Sequence, residues 1–246
     1  MAWQTPKTDW SASDGVRDSD FNRIEGNILE LYNTGTLHSD TTVYVDGSTG
    51  NDSTADGSGS KPFKTITAAL NSIPRNTGSS TITLDIGAGT YQENLVIRGF
   101  TGALHLYTAG VVNVWSLAIS GCNVYQSGTQ FNVQRGVTLT NGATYVGNSI
   151  MYISSATSGV LAQNGSTFVL FNTLTISNAS SVAVEASSCG RVYASILAGS
   201  SNSIGARADT GGTISYGSMS LAATTQRITN TGGRIYSGAQ TSIPNY

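Results

Sequence analysis

Charged residues are scarce in this sequence. Only 11% of the 246 residues are Asp, Glu, Lys or Arg, whereas an average soluble domain carries about 25%. The net charge of −2 provides no basic field that would attract nucleic acid or an anionic membrane. Because 39% of the residues are apolar, a disordered charged linker is also excluded. We expect a folded protein with no nucleic-acid partner and no membrane insertion.

Cysteine and long apolar runs are equally scarce. Cys122 and Cys189 form no Cys-x-x-Cys pair, which argues against a disulfide framework or a zinc site and favours two small buried thiols. No apolar run approaches the roughly 18 residues of a transmembrane helix, and the first residues lack the apolar segment of a signal peptide. We expect the chain to be made in the cytoplasm and not to be exported by a standard signal.

Glycine, in contrast, is abundant and periodic. A glycine followed by a short apolar or aromatic run recurs at steps of 21, 23, 25, 22 and 21 residues, at Gly121, Gly142, Gly165, Gly190, Gly212 and Gly233. A fixed period of this size is typical of a solenoid. Each repeat contains two further short apolar strands and no helical period. The sequence therefore predicts an all-β fold, a parallel β-helix with three strands per rung and about seven rungs over residues 81–246.

The first 41 residues differ from this body. Ten of the 14 acidic residues precede position 57, and residues 18–32 predict a short helix with one apolar face. That face carries Phe21, Ile24, Ile28 and Leu31 or Tyr32. Since a helix of this length is marginal on its own, something must cover the face: an arm carrying Trp3 and Trp10, sister chains or a docking partner.

Residues 42–80 predict a cap between these two parts. A strand over residues 42–46 leads into a loop rich in Gly, Ser and Asp, and then into a helix that Pro62 introduces and Pro74 ends. The predicted organisation is an N-terminal attachment arm and helix over 1–41, a capping strand, loop and helix over 42–80, and the β-helix over 81–246.

The entry segment carries a family resemblance. Tyr44-Val45-Asp46, the run 50–53, the run Lys61–Leu70 and Gly89-x-Tyr91-x-Glu93 resemble the start of pectin-lyase-like right-handed β-helix proteins. The resemblance implies a right-handed β-helix whose open end is covered by the helix, and a turn role for Glu93. It leaves the chemistry open, because that superfamily contains lyases, hydrolases and non-catalytic fibres.

The first 28 residues carry a second resemblance. The segments Trp3–Trp10 and Asp20–Ile28 resemble the head of tail and baseplate-associated proteins from phages and prophages of Gram-positive bacteria. This resemblance implies a location on the virion tail after synthesis in the host cytoplasm, and a homotrimer like that of tailspikes and tail fibres. It also implies attachment to phage tail or baseplate proteins through Trp3, Trp10, Phe21, Ile24 and Ile28.

Acidic residues that could support catalysis are few in the rungs. A glycoside hydrolase needs two carboxylates placed across the scissile bond, and the repeats offer only Glu185 and Asp209. The repeat register places Gln163, Glu185, Arg207 and Thr229 in one outward column, so that Glu185 and Arg207 form an ordinary surface ion pair. We therefore assign no catalytic residue and keep Glu185 and Asp209 as weak candidates; a site shared between subunits stays open.

No metal or cofactor site is expected. The loop that begins at Asp46 fails the EF-hand pattern, because the twelfth residue counted from Asp52 is Phe63 rather than Glu. Turns stabilised by Asp, Asn and Gly are the favoured interpretation of this loop. His38 and His105 are isolated from any nucleophile motif.

One aromatic column remains to be explained. Three residues after each of four repeat glycines comes an aromatic side chain, namely Tyr145, Phe168, Tyr193 and Tyr236. Three interpretations are open: the column lines a three-fold axis in a homotrimer, it forms a glycan-stacking platform, or a shift in the turns places the rings in the core.

These observations favour a binding protein over an enzyme. The predicted function is that of a tail fibre or tailspike-like virion component that binds a host cell-surface glycan without cleaving it. The alternatives are a polysaccharide depolymerase, either lyase or hydrolase, of the same fold, and a purely structural tail or neck appendage.

Overall fold

The structure is a computed structural model. It describes residues 15, 17–35, 39–78, 80–154 and 157–237. There are two helices, α1 (Asp18–Gly35) and α2 (Ile66–Ser72). The strands, in chain order, are β1 (Thr41–Val45), β2 (Ile82–Ile86), β3 (Gly89–Arg98), β4 (Ala103–Ser120), β5 (Asn123–Val133), β6 (Val137–Thr140), β7 (Thr144–Gly147), β8 (Ile150–Ser154), β9 (Ser158–Ala162), β10 (Thr167–Ser177), β11 (Val182–Ala186), β12 (Arg191–Ala208), β13 (Thr213–Thr229) and β14 (Arg234–Ser237).

The strands stack as the rungs of a right-handed parallel β-helix, as predicted. Every ladder between them is parallel, and the long strands β4, β12 and β13 bend around corners to supply all three sides of a rung. Within the described residues seven complete rungs begin at positions 82, 103, 123, 144, 167, 191 and 213. We call the side that holds β1, β2, β7, β14 and the first segments of β4, β5, β10, β12 and β13 sheet 1. Sheets 2 and 3 follow it in each rung.

The core is a set of inward columns that run along the rod. On sheet 1 the register aligns Leu104, Val124, Tyr145, Phe168, Val192 and Ile214, all at most 1% exposed. Because side chains alternate across a strand, the residues between them point outward. The rings of Tyr145 and Phe168 in this column are stacked nearly parallel, with their centroids 5.1 Å apart.

In three of the turns before sheet 1, the observed register differs from the predicted one by one residue. Gly165 has a positive φ, and the residues at the same turn position in the last three repeats are Cys189, Gly211 and Gly232, with φ of 63°, 74° and 78°. Each of them comes one residue before the glycine that the sequence repeat had suggested. The following glycines, Gly190, Gly212 and Gly233, are required for another reason. A Cβ there would overlap the carbonyl oxygen of an alanine in the preceding rung. Cys189, predicted to be buried, is exposed at this turn.

The cap closes the first rung. β1 pairs with β2, and α2 packs against β3, with Ile66, Ala69 and Leu70 buried in the common core. The side chain of Glu93 accepts backbone hydrogen bonds from Ile66 (2.9 Å) and Thr67 (2.8 Å) at the start of α2. These bonds satisfy two N–H groups that the helix leaves unpaired. Glu93 therefore caps the start of α2, which is a different role from the turn role that the family resemblance implied.

Candidate functional site

The outward side of sheet 1 carries exposed aromatic side chains in its first rungs. The register aligns Tyr44, Asp85 and Tyr107 in one column and His105 with Tyr125 in the next. Neighbouring strands lie about 4.8 Å apart, so these side chains form one continuous surface. We call it the tyrosine face, defined by Tyr44, Asp85, His105, Tyr107 and Tyr125.

The tyrosine face is open to solvent and built on rigid strands. Tyr44 is 39% exposed, Tyr107 43% and Tyr125 37%. The ring of His105 stacks on Tyr125 with centroids 5.1 Å apart. Exposed aromatic rings that keep a polar edge are typical of binding surfaces, because they offer large contact area and lose little conformational freedom.

Asp85 lies between the two rings of its column. Its strand neighbours are Tyr44 on one side and Tyr107 on the other. Partial burial raises the pKa of the Asp85 carboxyl above its ordinary value, because desolvation disfavours the charged form. Within the described part of the chain this carboxylate has no hydrogen-bond donor or cation that would offset the burial.

The prediction that four aromatic residues share one column is wrong. Tyr145 and Phe168 point inward and are fully buried, so they cannot form a glycan platform or a trimer face. Tyr193 and Tyr236 lie in the outward column that continues from Tyr125; Tyr193 is half-buried and Tyr236 is exposed. The one-residue shift in the turns is the reason, since it exchanges the two faces of a strand. The core interpretation therefore holds for Tyr145 and Phe168.

The predicted contact between Glu185 and Arg207 is confirmed, with two corrections. The Arg207 Nη2 donates to Glu185 Oε2 at 2.6 Å, and the Glu185 side chain is only 13% exposed, so the pair is partly buried rather than on the surface. The flanking residues of the column are Leu161 and Ile228 instead of Gln163 and Thr229. Glu185 is thus engaged by a cation in the next rung.

Asp209, the other weak catalytic candidate, lies in a turn after sheet 3. Its carboxylate accepts the backbone N–H of Thr210 at 3.0 Å, a local turn bond. Among the residues that the structure describes, no three His, Cys, Asp or Glu side chains are grouped in a way that could hold a metal ion.

The loop after β1 contains the predicted Asp and Asn turns. Asp46 accepts backbone hydrogen bonds from Ser48 (2.8 Å) and Thr49 (3.1 Å), which hold the pKa of its carboxyl below the ordinary value. Asp52 accepts bonds from Lys64 (2.7 Å) and Thr65 (3.0 Å), and so ties the loop to the start of α2. These carboxylates already have donors within the fold.

Helix α1 exposes its apolar face. Phe21 is 57% exposed, Ile24 48% and Ile28 60%. The other two predicted attachment residues, Trp3 and Trp10, lie outside the described residues, as does His38. No helix within the described ranges is both long enough and apolar enough to cross a membrane.

Comparison with known proteins identifies one related segment. Residues 48–98 match the family described as "Protein of unknown function (DUF1565)". The matched stretch covers the capping loop, α2 and the first rung. No curated protein and no solved structure gives a significant match. The fold and this match together make the chain a β-helix protein.

The sequence alone did not single out the tyrosine face. The repeat could be aligned only from Gly121 onward, so the equivalence of Tyr44, Asp85 and Tyr107 was not recognised. The signal that was present is the alternation in Thr83-Leu84-Asp85 and His105-Leu106-Tyr107, where buried leucines separate outward residues. Aligning Leu84 with Leu106 places Asp85 and Tyr107 in one outward column, and Thr83 and His105 in the column beside it.

Proposed function

We propose that this protein is a tail fibre or tailspike-like virion component that binds a host cell-surface glycan through the tyrosine face without cleaving it. The observation that carries the proposal is the register of sheet 1, which places three exposed tyrosines, on β1, β4 and β5, within four successive strands. Aromatic rings offer their faces to the apolar side of a sugar ring. Their hydroxyl groups remain available for hydrogen bonds with sugar hydroxyls.

The shape of the rod favours an extended ligand. Each rung repeats the backbone at about 4.8 Å, so a surface column offers similar contacts at regular intervals along the axis. A chain of sugar rings that lies along such a column can contact several rungs at once. Rigid strands hold the rings in place before binding, which lowers the entropic cost of association.

Binding without cleavage is supported by the positions and partners of the two acidic residues that were weak catalytic candidates. Glu185 is held by Arg207, and Asp209 accepts a bond from its own turn. Neither carboxylate lies on the tyrosine face, since both belong to sheet 3 or to the turn that follows it. A pair of carboxylates facing one bound sugar, which a hydrolase of this kind requires, is not formed by these residues.

Attachment to the particle is assigned to the N-terminal segment. The exposed residues Phe21, Ile24 and Ile28 of α1 follow the three-and-four spacing of a helical seam. Such a seam suits association of sister chains into a homotrimer that docks on tail or baseplate proteins. This assignment also rests on the resemblance of residues 3–10 and 20–28 to phage tail-associated heads.

A glycan array tests the proposed function. The full chain is applied to an array of bacterial cell-surface glycans, together with Tyr107→Ala, Tyr125→Ala and the control Tyr152→Ala. Tyr152 is equally exposed, at 45%, but lies on sheet 2. We expect Tyr107→Ala and Tyr125→Ala to weaken binding about tenfold, because tyrosine is enriched among the few interface residues whose truncation costs more than about 1 kcal/mol. Tyr152→Ala should leave binding unchanged.

A cleavage assay on the bound glycans separates this proposal from its alternatives. New reducing ends that disappear in Glu185→Gln or Asp209→Asn would favour the depolymerase. No binding to any glycan would contradict the proposal and favour a purely structural appendage. Equal losses in Tyr107→Ala and Tyr152→Ala would contradict the assignment to the tyrosine face.

A further inference from the structure

The carboxylates of this protein fall into two groups according to their partners. From residue 40 onward, all but one accept a hydrogen bond from another described group: Asp40, Asp46, Asp52, Asp56, Glu93, Glu185 and Asp209. The exception within the described residues is Asp85. A carboxylate that is partly removed from water without a partner destabilises the fold, so its presence on a surface column calls for a ligand that compensates it.

The surroundings of Asp85 indicate which ligand would do so. The strands on both sides place Tyr44 and Tyr107 next to it, each about 4.8 Å away along the axis. The face of an aromatic ring is electronegative and attracts cations. The two rings bring no positive charge to the carboxylate between them, and the cluster is open to solvent because both rings are more than a third exposed.

We infer that the Tyr44–Asp85–Tyr107 cluster recognises a positively charged amino group on the bound glycan, such as that of a de-N-acetylated amino sugar. The inference rests on the proposed function and specifies its ligand. A protonated amine donates hydrogen bonds to the carboxylate while its charge interacts with both rings. A neutral sugar hydroxyl also donates a bond but leaves the carboxylate charge uncompensated, and an anionic group is repelled.

Two oligosaccharides that differ only in the amine provide the test. Binding of the glucosamine tetramer and of the N-acetylglucosamine tetramer to the full chain is measured by titration calorimetry, at low salt and slightly acidic pH. We expect the glucosamine tetramer to bind at least about tenfold more tightly. In Asp85→Asn the two tetramers should bind within about twofold of each other. The control Asp209→Asn removes a half-buried turn carboxylate of the same charge, away from the tyrosine face, and should keep the preference.

The outcomes separate this inference from the proposed function. Equal or tighter binding of the acetylated tetramer overturns the inference, as does a preference for the amine that persists in Asp85→Asn. If the chain binds other array glycans but neither tetramer, the amine inference is overturned and the proposed function stands. If it binds no glycan at all, both are overturned.

Discussion

Two buried tyrosines of the rod differ in how their hydroxyl groups are satisfied. The Tyr91 hydroxyl donates to the Gly87 carbonyl (2.9 Å) and accepts from the Gly47 backbone N–H (3.2 Å), which joins the first rung to the capping loop. The Tyr145 hydroxyl is fully buried and has no partner within the described residues. Because a buried polar group without a hydrogen bond is unfavourable, the same substitution should have different effects at the two positions.

Substitution of each tyrosine by phenylalanine tests this difference. Tyr91→Phe removes the hydrogen bonds to the Gly47 N–H and the Gly87 carbonyl, and should lower the free energy of unfolding by about 0.5–1.5 kcal/mol. Tyr145→Phe removes an unsatisfied hydroxyl and should leave stability unchanged or raise it by up to about 1 kcal/mol. Urea unfolding measures both values. A loss at Tyr145 as large as that at Tyr91 would show that the hydroxyl of Tyr145 has a partner after all.

Asp85 should destabilise the folded protein at neutral pH. Its pKa is raised on folding, so the folded state binds the proton more tightly than the unfolded chain. The unfavourable contribution is therefore absent below the unfolded-state pKa, grows as pH rises through the folded-state pKa, and is fully present above it. We expect Asp85→Asn to be more stable than the unaltered chain at pH 7 and about equally stable near pH 3. Thermal unfolding at both pH values measures this, and a variant that is less stable at pH 7 would contradict it.

At the scale of the elements, the junction between α2 and the first rung depends on Glu93. Its two carboxylate oxygens accept the N–H groups of Ile66 and Thr67. Glu93→Ala should lower the free energy of unfolding by about 1–3 kcal/mol, because both groups lose their acceptor. Glu93→Gln retains one acceptor and should lose less. The exposed neighbour Gln92→Ala is the control, and a loss there as large as in Glu93→Ala would contradict the capping role.

Helix α1 is expected to associate with sister chains. The unaltered protein should sediment as a homotrimer, and Ile24→Asp should sediment as a monomer because it places a charge in the exposed apolar face. Asn22→Asp adds the same charge to an exposed position outside the spacing of that face, and should remain trimeric. A monomer for the unaltered protein at micromolar concentration would contradict the assignment.

Much of the fold could be predicted from sequence because rungs repeat. Each repeat supplies an independent instance of the same turn, so the period of about 22 residues was visible without an alignment. The register of the last repeats could not be assigned in the same way. Glycine is required at two consecutive turn positions for different reasons, positive φ at Gly211 and close backbone approach at Gly212. Cys189 fills the first of these positions in one repeat, which left Gly190 as the apparent equivalent.

The candidate site was less predictable than the fold. Whether an outward tyrosine is exposed depends on its neighbours along the column, which are about 20 residues away in sequence. Tyr125 is 37% exposed although it has the same outward position as Val169, which is 3% exposed. The Glu185–Arg207 pair was predictable because the third strands of these two rungs were aligned correctly from the sequence, with Val182 opposite Ile204.

At the scale of the whole molecule, the scarcity of charge follows from the stacking of rungs. In a parallel, in-register stack each outward residue lies about 4.8 Å from its equivalents in adjacent rungs, and like charges placed there repel each other. The pair of Glu185 and Arg207 avoids this by alternating in sign. Tyr44, Asp85 and Tyr107 avoid it by placing neutral rings on both sides of a single charge. Low charge therefore belongs to the architecture and does not by itself exclude a binding function.

A crystal structure of the full chain with its tightest-binding array oligosaccharide would show directly whether the glycan binds on the tyrosine face. We predict sugar rings stacked on Tyr107 or Tyr125 and running along sheet 1. A ligand that lies on sheet 2 around Tyr152, or beside Glu185 on sheet 3, with the tyrosine face empty would rule out glycan binding on that face.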